Sequence, residues 1–213
     1  MNKVVKFGGS SLASAEQFRK VGEIIQSDPE RRFVVPSAPG KRSKNDTKVT
    51  DMLYDCYARA EEGEEFAKEL SAIQARYDEI IKGLSLNLSL AEEFKIIEEN
   101  FRNHAGKDYA ASRGEYLNGI IMAAFLGFRF IDAAEVIFFD EDGSLDTAKT
   151  DKVMSARLAG EEGAVIPGFY GAMPDGRIRT FSRGGSDITG SIVASVVHAE
   201  VYENWTDVSG FLI

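Results

Sequence analysis

Four short segments combine residue types able to hold and transfer an anionic group. In Lys6-Phe7-Gly8-Gly9-Ser10-Ser11 the two glycines offer backbone N–H groups unobstructed by Cβ ahead of a helix, which makes an anion cradle, and Lys6 can place an ammonium over the same anion. Read alone, Gly8-Gly9 serves equally as a tight turn. Ser182-Arg183-Gly184-Gly185-Ser186-Asp187 joins a forked cation, two glycines, a hydroxyl and a carboxylate at the entry to another helix. Ser186 and Asp187 could simply cap that helix. Arg183 is not explained by capping, since a guanidinium at a helix N-terminus opposes the dipole unless an anion lies between them. Glu115, within Ser112-Arg113-Gly114-Glu115, reads as a ligand or as a surface glutamate, and Thr206-Asp207 as a site loop or a plain turn. His104 and His198 lack the Cys, His or carboxylate company of a metal site, so neither histidine chemistry nor a metal ligand set is indicated.

The elements that must position these segments follow from hydrophobic periodicity. Asn2–Phe7 and Arg32–Ser37 read as strands that end in the glycine segment and in Ser37-Ala38-Pro39-Gly40, followed by a polar loop to Lys48. Ala15–Gln26 carries Phe18, Val21, Ile24 and Ile25 at helical spacing. Residues 50–127 are helical almost throughout, with Thr50 as a cap, Glu61–Leu84 and Leu90–Phe101 amphipathic, and Tyr109–Phe125 carrying Glu115. Strands return within Arg129–Asp140, at Ala164–Phe169 and at Arg177–Phe181; a short helix near 150–159 and another at Ile188–Ala199 intervene before a last strand at Glu200–Asn204. Strands alternating with helices predict a three-layer αβα sandwich around a mostly parallel sheet, with a helical insertion at 50–127. In such sheets ligands sit beyond the carboxyl ends of the strands, where the glycine loops fall.

Composition bounds the partners. The 213 residues hold 34 acidic and 25 basic side chains, a net charge of -9, which argues against nucleic acid or an anionic membrane surface as partner. At 44% apolar and 28% charged, the chain is that of an ordinary folded protein. Cys56, the single cysteine, cannot form an internal disulfide and reads as a packed hydrophobe; with no signal peptide or apolar span in view, a cytoplasmic location is expected.

Taken in order, the four segments resemble the amino acid kinase family, and within it they are similar to the aspartokinases, over Lys3 to Ile213. The resemblance implies transfer of the γ-phosphoryl of ATP, with Mg²⁺, to the β-carboxylate of L-aspartate. It implies that Lys6 and Asp187 act at the reacting groups. Arg183 would grip the α-carboxylate, Glu115 would pair with the α-ammonium, and Ser37, Thr50 and Ser186 would supply hydroxyls near substrate. Gly8, Gly9, Ser10, Thr206 and Asp207 would border the nucleotide. Other readings are a kinase of the same family acting on glutamate, acetylglutamate or a nucleotide monophosphate, and a truncated, non-catalytic aspartate-binding fragment. Family members continue into regulatory ACT domains and form homo-oligomers, whereas this chain stops at the apolar Phe211-Leu212-Ile213. The expectation is most of a catalytic domain, cut inside its nucleotide half, with no ACT domain.

Overall fold

A computed structural model describes residues 2–181 and 184–206. Five strands form one sheet: β1 (Lys3–Phe7), β2 (Arg31–Pro36), β3 (Arg129–Phe130), β4 (Ala164–Val165) and β7 (Val201–Trp205), in the order β3-β4-β2-β1-β7. Every pairing within it is parallel. Side chains alternate across the central strands, so Val5, Phe7 and Val34 face one core while Val4, Phe33 and Val35 face the other. The first core is covered by α1 (Ala15–Gln26), α2 (Val49–Glu61), α3 (Ala67–Gly83), α4 (Ala91–Arg102) and α5 (Lys107–Leu126). The second is covered by α6 (Ala133–Val136), α7 (Thr147–Leu158) and α8 (Gly185–Val196). This is the expected three-layer sandwich, with α2 to α5 filling the region read as a helical insertion.

Local chemistry explains where the elements begin and end. Ser14 accepts from the Gln17 amide and caps α1, whose buried face is Phe18, Val21 and Ile25. Cys56 is fully buried in the first core, its thiol pushed up to about 12 by desolvation, as befits a packed side chain. No helix among the described residues is long and apolar enough to cross a membrane.

The structure departs from the sequence reading at four places. Thr50 does not cap α2: Lys48 occupies the N-cap position, Val49 donates to the Pro39 carbonyl, and Thr50 sits inside the first turn. The helix read from Glu61 starts at Ala67, because Gly63 takes a left-handed conformation (φ 74°) just past α2. Part of the strand region 129–140 is helical, since Asp132 accepts from the Ala134 amide and caps α6. The strand read at 164–169 stops at Val165, with Pro167 lacking a donor; the chain then folds into an antiparallel hairpin of β5 (Tyr170–Ala172) and β6 (Ile178–Thr180) outside the main sheet.

Candidate active site

The carboxyl ends of β1, β2 and β7 open on one cleft, made of two cavities of about 530 and 620 Å³ that share Ser37, Lys48, Thr50 and Glu115. Lys6, Ser186 and Asp187 line the first; Gly8, Gly9, Ser10 and Thr206 line the second. Neither His104 nor His198 lines either one. Arg183 and Asp207 lie outside the described residues.

Strand alternation accounts for the floor of the first cavity. Phe7 and Trp205 point to one face of the sheet and stack with their ring centroids 6.2 Å apart, so Lys6 and its register partner Asn204 point to the other, toward α8. There Lys6 Nζ lies 2.8 Å from Asp187 Oδ1, and Asn204 Nδ2 donates to the same oxygen at 3.1 Å. Lys6 is 9% exposed, and a Cβ built on Gly8 would stand 3.8 Å from its Nζ, so the ammonium pairs with the start of α8 and lies beside the open face of Gly8.

Asp187 does not cap α8. The N-cap is Gly184, left-handed at φ 79°, and no side-chain cap hydrogen bond is made there among the described residues. The first turn of α8 is instead pinned by close backbone approach: a Cβ on Gly168 would fall 2.6 Å from Ser186 Oγ, and one on Gly185 would fall 2.6 Å from Phe169. Phe169 itself holds φ at 84°, an uncommon conformation for a bulky residue, fixed by donation from its amide to Thr189 Oγ1 at 3.0 Å and from Phe181 N to its carbonyl at 2.8 Å.

The glycine turn is equally constrained. Gly8 N donates to the Trp205 carbonyl at 3.1 Å and Gly40 N to the Gly9 carbonyl at 2.8 Å. Added Cβ atoms at Gly9 or Gly40 would meet backbone at 2.7 and 2.6 Å. Both glycines are therefore needed for the β1 and β2 loops to pack together, which leaves the Ser10 side exposed to the second cavity. Ser37 is set by its amide donating to Phe7 and by Asn118 Nδ2 donating to its carbonyl at 2.7 Å.

Glu115 reaches the cleft because Gly114 precedes it. A Cβ at Gly114 would come 2.8 Å from Ala38 Cβ and 3.4 Å from Leu53 Cδ1, so only glycine lets α5 approach this closely. Glu115 is 6% exposed and its Oε2 has no hydrogen-bond partner among the described residues. Burial pushes its carboxyl up to about 8, against the opposing pull of the Ala38 amide and the Arg113 cation. Arg113 does not enter the cleft; its guanidinium lies among the rings of Tyr109, Tyr116 and Tyr170, with centroids at 4.7, 4.3 and 5.4 Å.

The structure thus gathers Lys6, Gly8, Gly9, Ser10, Ser37, Thr50, Glu115, Ser186, Asp187 and Thr206 around one cleft. Sequence reasoning missed Asn204 and Asn118. Neither carried a signal in the sequence: Asn204 follows Glu203 in a mixed strand and owes its place to the register with Lys6, and Asn118 lies one helical turn after Glu115.

The likeness to known proteins is extensive. A profile described as the amino acid kinase family matches residues 1–212. Aspartokinase 3 of Bacillus subtilis is 40% identical over 97% of this chain and 48% of its own length. The crystal structure of Clostridium acetobutylicum aspartate kinase superposes with a TM-score of 0.95 at 51% identity, covering 99% of this chain and 48% of that one. Escherichia coli aspartokinase III, solved with aspartate and ADP, superposes at 0.82 with 26% identity, covering 99% and 50%. The chain spans about half the length of the curated relatives it matches. With the profile matching nearly every residue and the cleft assembled from the four segments that carry the resemblance, the chain belongs to the amino acid kinase family.

Proposed function

We propose that this chain carries the acceptor site and the phosphate-binding turn of an aspartate kinase, which transfers the γ-phosphoryl of ATP to the β-carboxylate of L-aspartate to give 4-phospho-L-aspartate. The observation that carries this reading is that one cavity presents a buried carboxyl, Glu115, whose Oε2 has no partner among the described residues, and an ammonium, Lys6, to the same volume. That pattern suits a zwitterion with an additional carboxylate. Aspartate and ADP in the E. coli relative's structure support the same assignment.

The nucleophile is a carboxylate, ionised at pH 7, so no general base is required. The reaction instead needs two anions brought together, and phosphoryl transfer is catalysed mainly by positioning and neutralisation of charge. Lys6 supplies the neutralisation. Asp187 and Asn204 hold it between the glycine turn and α8; the Gly8 amide is spent on the Trp205 carbonyl, which leaves the amides of Gly9 and Ser10 for the nucleotide phosphates. Glu115 receives the α-ammonium, and Ser37, Thr50 and Ser186 supply hydroxyls around the acceptor. Arg183 is assigned to the α-carboxylate, and Thr206 with Asp207 to the nucleotide border. Mg²⁺ would enter with ATP, held by phosphates and water, adding neutralisation of the transferred group; among the described residues no three His, Cys, Asp or Glu side chains cluster into a cation site of their own.

Isothermal calorimetry with L-aspartate, L-glutamate, N-acetyl-L-glutamate and MgATP tests the assignment. L-aspartate is expected to bind at least tenfold more tightly than the other two acids, and MgATP to bind independently of it. Preference for glutamate or its acetyl derivative would move the chain to another branch of the family.

A further inference from the structure

The segment between Gly40 and Lys48 forms a wall of the second cavity and contributes Lys41, Lys44 and Lys48 to it. Its own side chains are mostly exposed, so its shape has to be imposed from outside. One buried residue does this. Arg76 on α3 is 5% exposed; it donates to the Gly40 carbonyl at 3.0 Å and to the Thr47 carbonyl at 3.1 Å, and pairs with Asp46 Oδ2 at 3.1 Å. A single guanidinium therefore ties both ends of the segment to one point on α3, where the rigid fork of arginine bonds several acceptors in fixed geometry. Arg42 adds a second tie, pairing with Asp46 at 2.9 Å and with Glu79 of α3 at 2.8 Å. These bonds hold the Asp46 carboxyl well below its ordinary range.

Gly40 is also the residue whose amide donates to Gly9 and whose Cα lies against the Gly9 backbone. The chain of contacts runs Arg76, Gly40 carbonyl, Gly40 amide, Gly9 carbonyl, and so reaches the turn that lines the second cavity. The acceptor side is held by other bonds: Ser37 by Asn118 and Phe7, Ser186 by packing on Gly168, and Glu115 by α5. We propose that Arg76 is a positioning residue for the nucleotide phosphates, fixing the 40–48 wall and through Gly40 the Gly8–Ser10 turn, and reaching the acceptor subsite only through Lys48, which both cavities share. This rests on the reading that the second cavity takes ATP.

The test pairs calorimetry with amide hydrogen exchange, comparing the parent with Arg76→Met, which keeps the stem and removes the fork, and Arg76→Lys. Arg76→Met is expected to weaken MgATP at least tenfold and L-aspartate less than threefold, with Arg76→Lys between Met and parent for MgATP. Protection of the Gly40 and Val49 amides should fall at least tenfold while amides in α4 keep theirs. If Arg76→Met does not fold, Asp46→Asn carries the same expectation in weaker form. A lowered melting temperature with MgATP and aspartate affinities both within twofold of the parent would mean a purely structural role and overturn the proposal. So would unchanged Gly40 protection. A parent that binds no MgATP would instead overturn the reading of the second cavity, and the proposal with it.

Discussion

At the residue scale the site is built from groups whose ordinary chemistry is altered by where they sit. Glu115 is the clearest case. Burial pushes its carboxyl up to about 8, so the protonated form predominates at pH 7, and the charged form proposed to pair with an ammonium has to be made on binding. Aspartate affinity should therefore rise about twentyfold between pH 6.5 and 8.5, and binding at pH 7 should release a proton to buffer. Calorimetry in two buffers of different ionisation enthalpy reads that proton; Glu115→Gln should abolish both the release and the pH dependence. The linkage to stability runs the other way. A carboxyl raised from 4.5 to about 8 by folding favours the native state at low pH, and that contribution is lost as pH rises from 4.5 through 8. Thermal melts should show Glu115→Gln gaining on the parent as pH goes from 6 to 9. For Lys6, which acts on charge that develops in transfer, Lys6→Ala should fold normally and lose at least a hundredfold in kcat. A kcat within threefold of the parent would remove the assignment. These residues were legible because glycine, charge and hydroxyl cluster in short segments. Asn204 was not, because its role depends on strand register: only the pairing of Lys6 with Asn204 puts its amide beside Asp187.

At the scale of elements, glycines at points of close contact set the distances. Gly114 lets α5 lie against Ala38 and α2, and so places Glu115. In an exposed helix, Gly→Ala gains about 1 kcal/mol from propensity alone. Here the new methyl would press to 2.8 Å against a buried neighbour, and overpacking costs about 1–3 kcal/mol, so the sign reverses. Gly114→Ala should lower the melting temperature and weaken aspartate binding. A rise in melting temperature would show that the Ala38 loop yields. Helices with a long apolar stripe, such as α1 and α4, could be read from spacing. The short α6 could not, since β-branched and aromatic residues around it suggest strand, and its formation turns on one Asp132 cap. Thr50 was misread as a cap because a threonine before an apolar run fits that pattern; Lys48 holds the N-cap and the helix starts two residues earlier, where Val49 bonds Pro39.

For the molecule as a whole, the parallel sheet separates two cores and brings three loops together at one edge, which makes a cleft for small anions on a protein of net charge -9. Among the described residues the cations that line it are Lys6, Lys41, Arg42, Lys44 and Lys48. Fold class was readable from alternating strand and helix patterns. The joining of acceptor and phosphate cavities was not, because it depends on Ser37, Thr50 and Glu115 converging from β2, α2 and α5. The central claim is that this cleft directs phosphoryl transfer onto the side-chain carboxylate of aspartate. Trapping the acyl phosphate with hydroxylamine, in the presence of ATP, Mg²⁺ and each acidic amino acid in turn, tests it. The account predicts aspartyl hydroxamate, formed with L-aspartate and lost in Lys6→Ala; hydroxamate from glutamate alone, or none from a protein that binds both aspartate and MgATP, would contradict it.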